Sequence, residues 1–137
     1  MAADEGQRLA SGLAMIRAGR YFEAHEELEL AWRAAAAEER DFYQGLVHVA
    51  VAWYQAGRGR EVGAGRQLDK AVRRLGPFAP AHRGVDVASL LGELETARAT
   101  VAAGSLELAE LRLGQADVVE RAIEGDVKPP VAVEEEQ

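Results

Sequence analysis

The sequence contains no cysteine. This rules out a disulfide framework, a thiolate nucleophile and thiolate metal ligands. β-Branched residues other than valine are scarce, which weakens any reading in terms of strands. No run approaches the roughly 20 consecutive apolar residues that a membrane-spanning helix requires. The first residues lack the basic start and apolar run of a secretory signal, since Asp4 and Glu5 stand where the basic start would be. A cytoplasmic location, with no membrane partner, is therefore the expectation. There is also no Gly-x-Ser-x-Gly elbow and no P-loop, and Ser11, Ser89 and Ser105 fall in no hydrolase motif. Gly63-Ala64-Gly65 lacks the third glycine and the preceding strand of a dinucleotide loop. It reads as flexibility or close packing at a helix start.

What is present is the composition of a helical domain. The chain has 137 residues, 48% of them hydrophobic, enough for one ordinary core. Alanine, leucine, glutamate and arginine dominate, all good helix formers. The net charge is −7, with Glu134, Glu135 and Glu136 crowding the C-terminus. A chain of that sign repels nucleic acid as a whole, although a local basic patch can still exist on it.

Periodicity and punctuation predict five helices. Asp4 caps the first, which runs to about Ala18 with Leu9, Leu13 and Ile16 inward and Gly19 as its stop. The second starts near Arg20, and Tyr21, Ala24, Leu28, Ala31, Trp32 and Ala35 form one apolar face. The third begins near Glu38 or Glu39 and ends at Gly57. It carries no charge from Phe42 to Ala56, the mark of a central, buried helix, and Gly45 admits a close neighbour. The fourth spans Glu61 to Leu75, and Gly76-Pro77 ends it. A Pro/Gly loop follows, in which His82 reads as exposed and without a role. Asp86 caps the fifth helix, with Val85 and Leu90 placed as a hydrophobic staple, and Gly104 closes it. Ser105 to Leu113 suits either a short helix or an extended arm, because Leu106, Leu108, Leu111 and Leu113 partly alternate. Gln115 to Ile123 suits a terminal helix. The expected organisation is one helical domain over residues 1–124 and an acidic disordered tail over 125–137.

The second and fourth helices echo each other. Ala24, Leu28, Ala31 and Trp32 align with Ala64, Leu68, Ala71 and Val72 at one offset of 40 residues. Ala18-Gly19-Arg20 before the first set matches Ala56-Gly57-Arg58 before the second. Repeated helix–glycine turn–helix units are the pattern of antiparallel hairpins, as in tetratricopeptide-like repeats. The predicted fold is all-α, a compact bundle of about five to six helices.

Three stretches carry a family resemblance. They are Ala18-Gly19-Arg20-Tyr21-Phe22-Glu23-Ala24-His25-Glu26 continuing through Leu28, Glu29 and Trp32; Glu39 to Ala50; and Gly63-Ala64 followed by Leu68 and Lys70-Ala71. Together they resemble the DUF309 family, small all-helical proteins of unknown function from prokaryotes and plastids, over roughly residues 9 to 76. Val47-His48 departs from the Ile-Gln pair common in that family, and residues after Asp86 match only loosely. The resemblance implies a helical bundle and no particular activity.

One polar stripe invites chemistry. On a helical wheel of the third helix at about 100° per residue, Asp41, Gln44, His48 and Gln55 share one side. On the second helix, His25 and Glu29 border the apolar face beside Trp32. If the two helices pack antiparallel, His25, Glu29, Trp32, Asp41, Gln44 and His48 could form a polar pocket. Imidazole and carboxylate suit a divalent metal such as zinc, iron or manganese, with His25, Glu29 and His48 as ligands. The other reading is a buried hydrogen-bond network that fixes helix register. His25-Glu26-x-x-Glu29 lacks the second histidine of a zinc protease, and no Glu-x-x-His pair exists for a di-iron site. Arg66, Lys70 and Arg73 form a basic outer surface on the fourth helix. It has no interleaved aromatics to stack bases, which counts against nucleic acid.

The function expected from these features is a non-catalytic helical module that binds a protein or small ligand. The alternative is a metal- or ligand-dependent enzyme using the pocket between the second and third helices. A homodimer is the commonest assembly for such a domain.

Overall fold

The computed structural model describes residues 4–114. The expected terminal helix over 115–123 and the acidic tail over 125–137 lie outside the described residues. Within them, the chain forms α1 (Glu5–Arg17), α2 (Tyr21–Ala34), α3 (Arg40–Gly57), α4 (Glu61–Leu75) and α5 (Val87–Ala102). Single 3₁₀ turns, Ala37–Glu39 and Gly76–Phe78, lead into α3 and out of α4. Among the described residues there is no β-strand and no helix long and apolar enough to cross a membrane.

The caps are where the sequence places them. Asp4 accepts from the Gln7 amide at 2.7 Å, and Gln7 returns a bond to the Asp4 amide, a full capping box. Asp86 accepts from the Ser89 amide at 3.0 Å, and the staple pair Val85 and Leu90 is buried. The alternating leucines after α5 form an extended arm. Leu111 and Leu113 enter the core, and Leu106 and Leu108 pack against it.

Each helix packs on the next in sequence, and one continuous core runs through all five and the arm. α3 lies between α2 and α4, enclosed on most sides: Phe42, Tyr43, Leu46, Val49, Ala50 and Ala52 are fully buried. The two sets that echo in sequence are structurally equivalent, since Ala24, Leu28 and Ala31 of α2 and Ala64, Leu68 and Ala71 of α4 are all fully buried.

The turns sharpen the echo. Gly19 at φ 78° and Gly59 at φ 75° are the left-handed residues of two identical Schellman stops. The Gly19 and Arg20 amides donate to the Ile16 and Met15 carbonyls, as the Gly59 and Arg60 amides do to Ala56 and Gln55. Gly59, not Gly57, is therefore the partner of Gly19, and the 40-residue offset holds through the turn as well as the helix. Gly104 at φ 91° repeats the motif a third time, with Gly104 donating to Val101 and Ser105 to Thr100, but the arm follows it instead of a helix.

Two glycines bring neighbouring helices together. A Cβ on Gly12 of α1 would stand 2.6 Å from Leu28 Cγ, and one on Gly45 of α3 would stand 2.6 Å from Leu75 Cγ. Both leucines are fully buried and cannot swing aside. Gly45→Ala should therefore cost about 1–3 kcal/mol by overpacking. Gly57→Ala, in open space at the end of the same helix, should cost nothing and gain helix propensity. Denaturant unfolding of both variants checks the contrast, and equal stability of the two would contradict this account of the α3–α4 contact.

Candidate functional site

α3 has two neighbours, and its solvent edge divides between them. Tyr54 looks toward α2, where its ring centroid lies 5.5 Å from that of Phe22. The polar stripe looks the other way, toward α4. Asp41 accepts from Arg74 Nη1 at 2.6 Å, His48 Nδ1 meets Gln67 Oε1 at 2.7 Å, and Arg60 Nη1 donates to Gln55 Oε1 at 3.5 Å. The three rungs fall every seven residues, 41, 48 and 55 on α3 against 74 and 67 on α4 and 60 at its N-cap. They form a polar ladder down the α3–α4 seam. Two helices packed antiparallel at a shallow angle repeat their contacts at that spacing.

The pocket expected between α2 and α3 is therefore distributed differently. The imidazole of His25 is bonded to its own helix, with Nδ1 3.2 Å from the Phe22 carbonyl, and its ring lies against that of Phe22. Glu29 pairs with Arg33 one turn on, at 3.7 Å. Trp32 is half-buried and packs against the core. His48 and Asp41 belong to the α4 ladder, and Gln44 is half-buried between them. Among the described residues, no three His, Asp or Glu side chains come close enough to hold a metal ion. Chain order suggested α2 as the partner of the stripe, but α4 is equally adjacent in the chain, and it carries Gln67 and Arg74 at matching positions.

Burial pushes the pKa of His48 below its ordinary value. The charges of Lys70, Arg74 and Arg73 push the same way, and the bond to Gln67 pulls against them. Arg66, Lys70 and Arg73 are exposed, as expected, and have no salt-bridge partner among the described residues.

A second polar cluster was not anticipated. His82 is half-buried, not idle: its ring lies edge-on to Phe42 at 4.7 Å and against Phe78 at 4.8 Å. Its Nε2 is 2.8 Å from Glu39 Oε1, which also accepts from Arg83 Nε at 2.6 Å. Arg83 reaches Glu5 of α1 at 3.2 Å and lies over the Tyr43 ring. These bonds depend on a two-residue hairpin turn in which His82 and Val85 exchange backbone bonds at 3.0 and 2.8 Å. Arg83, at φ 48°, and Gly84, at φ 77°, are its left-handed centre. Such a conformation is strained for a residue with a side chain. The two carboxylates that grip Arg83 offset that strain. The Arg83 and His82 bonds hold the Glu39 carboxyl below its usual range, and burial, reinforced by Glu5, pushes the Tyr43 hydroxyl up. The sequence signal was the Arg-Gly pair between His82 and Val85, a hairpin dipeptide hidden in a stretch with no strands.

Residues 9–67 match the family model described as a domain of unknown function, DUF309. The match begins where the resemblance in the sequence begins and stops at Gln67, so Leu68 and Lys70-Ala71 lie just beyond it. The matched segment runs from within α1 to the middle of α4 and includes two of the three polar pairs, His48–Gln67 and Gln55–Arg60. No curated protein matches the chain.

Two outcomes follow from these clusters. The folded-state pKa of His48 lies below its unfolded value, so as pH falls below about 6.5 the unfolded state takes up this proton first. The His48 contribution is thus present at neutral pH and lost on acidification. His48→Gln should flatten the pH dependence of unfolding free energy between pH 7.5 and 5.5; an unchanged slope would contradict the assignment. Glu39→Gln removes the charge that grips both His82 and Arg83 and should cost about 1–3 kcal/mol, with faster proteolytic cleavage between residues 79 and 86.

Proposed function

We propose that this chain is a non-catalytic binding module, stacked from tetratricopeptide-like hairpins, whose working surface is the face shared by α2, α3 and α4. The observation that carries the reading is the exposed aromatic cluster at the end of that face. Phe22 is 47% exposed and lies against His25 and Tyr54, and Arg58 stands over the Tyr54 ring at 5.6 Å. A large aromatic ring left in water yet held by two neighbours is the kind of rigid anchor that interfaces use. Half-buried Val47 and Val51 continue an apolar lane along α3. Beyond the ladder, Arg66, Lys70 and Arg73 run beside the lane on α4. An apolar lane with a basic bank matches an amphipathic helix with an acidic flank.

The metal- or ligand-dependent enzyme built on His25, Glu29, Gln44 and His48 has less support. His25, Glu29 and His48 are engaged with Phe22, Arg33 and Gln67 rather than with one another.

Selection from a displayed library of helical peptides should enrich sequences with one apolar stripe and acidic neighbours. Phe22→Ala and Lys70→Glu should each weaken a selected peptide at least tenfold, about 1.4 kcal/mol, and added salt should weaken it further. Failure to enrich any such peptide, or affinities untouched by Phe22→Ala, would overturn the proposal.

A further inference from the structure

Most cationic side chains of the described residues are answered by a carboxylate, a carbonyl or a ring, as Arg74 is by Asp41 and Arg17 by the arm. Arg66, Lys70 and Arg73 are not. All three are exposed, and among the described residues none has a hydrogen-bond or salt-bridge partner. Asp69, the acidic residue among them, is drawn off to Arg98 of α5 at 3.1 Å. Arg66 and Lys70 stand at i, i+4 and Lys70 and Arg73 at i, i+3, where like charges cost helix stability. On a chain of net charge −7, three neighbouring cations held at that cost are the exception.

The polar seam with α3 runs beside them. On α4, Gln67, Lys70 and Arg74 follow at spacings of three and four, so Lys70 stands between the two side chains that bond to α3. On α3, Gln44 stands between Asp41 and His48 in the same way. Gln44 is half-buried, and its amide has no partner among the described residues. The seam thus has an open step between two bonded ones, with an amide on one helix and an ammonium on the other. His48 borders that step. With Gln67 Oε1 as acceptor, Nδ1 carries the ring proton, which leaves Nε2 without a protein partner. The charges acting on the imidazole are Lys70, Arg74 and Arg73, all from α4, and Asp41 of its own helix is engaged by Arg74.

From the unanswered cations and the open step, we propose that the α3–α4 seam holds a phosphoryl-binding site, in which Lys70 and Arg73 meet the phosphoryl oxygens, the Gln44 amide donates to one of them and His48 Nε2, once protonated, donates to another. A phosphoryl group suits this set better than a carboxylate does. It brings a charge of about −1.5 to −2 and three acceptor oxygens, whereas a carboxylate brings a single charge on two oxygens. An anion seated there cancels the field that keeps the imidazole neutral, so its arrival favours protonation of His48. The site shares a face with the helix-binding lane, but nothing in it depends on that lane.

Imidazole NMR of the full chain, titrated in sodium sulfate and in sodium chloride of equal ionic strength, tests the site without a peptide. Sulfate stands in for the phosphoryl group, with the same shape and both charges at every pH of the titration. The pKa of His48 should be higher in sulfate by at least about 0.5. His25 and His82, engaged with Phe22 and Glu39, should match in the two salts. In the double variant Lys70→Gln, Arg73→Gln the difference at His48 should vanish, and because both side chains are exposed the core is untouched. A His48 difference no larger than that of the other imidazoles would overturn the inference, as would one that survives the double substitution. A second titration at neutral pH compares terminally blocked phosphoserine with equally blocked glutamate through the His48 resonance. Phosphoserine should bind at least about fivefold more tightly; equal affinities would reduce the site to a general basic surface and overturn the phosphoryl assignment. Inorganic phosphate that matches blocked phosphoserine would identify a free small molecule as the source, and weaker inorganic phosphate a phosphorylated partner, either result upholding the site.

Discussion

Enclosure of α3 is the constraint on which the rest of the structure depends. A helix without a charge from Phe42 to Ala56 cannot remain at a surface, and burying it requires neighbours on more than one side. α2 and α4 meet that need with the same three small or leucine side chains, and each is preceded by a left-handed glycine stop, Gly19 and Gly59. α1 and α5 then cover the outer flanks of α2 and α4. Gly12 and Gly45 let the backbones approach closely enough for Leu28 and Leu75 to fill the space.

The ladder decides how α4 lies on α3. Leu75 seated against Gly45 fixes the approach of the two helices at one end, and the polar pairs act along the rest of the seam. Asp41–Arg74 and His48–Gln67 are bonded together in only one register, while Gln55–Arg60 closes the turn between the helices. The half-buried middle rung matters most: a shift would leave the imidazole and the amide desolvated without partners. The outer rungs are more exposed and hold the ends in line, with smaller individual effects.

Much of this was legible in the sequence. The helix bounds, the Asp4 and Asp86 caps, the close approach at Gly45 and the equivalence of α2 and α4 all follow from local pattern, because each depends on residues near one another in the chain. The polar stripe was legible as a stripe, but its direction was not. A helical wheel gives an angle without saying which neighbour lies at that angle, and α3 has one on each side. His82 was illegible for a different reason. Its partners Glu39, Phe42 and Phe78 come from three separate segments, and only the hairpin turn at Arg83-Gly84 brings the ring to them.

The arm after Gly104 has a wider consequence. Each of the first two left-handed glycine stops is followed by a helix that packs on the one before it. Here the third stop is made just as the first two are, yet the chain then extends and lays Leu111 and Leu113 into the core. Its carbonyls are answered by side chains: Trp53 reaches Ala109 at 3.1 Å, and Arg17 reaches Arg112 and Leu113. The arm is a clasp: bonded to α1 through Arg17 and to α5 through Glu93, it ties the first helix to the last.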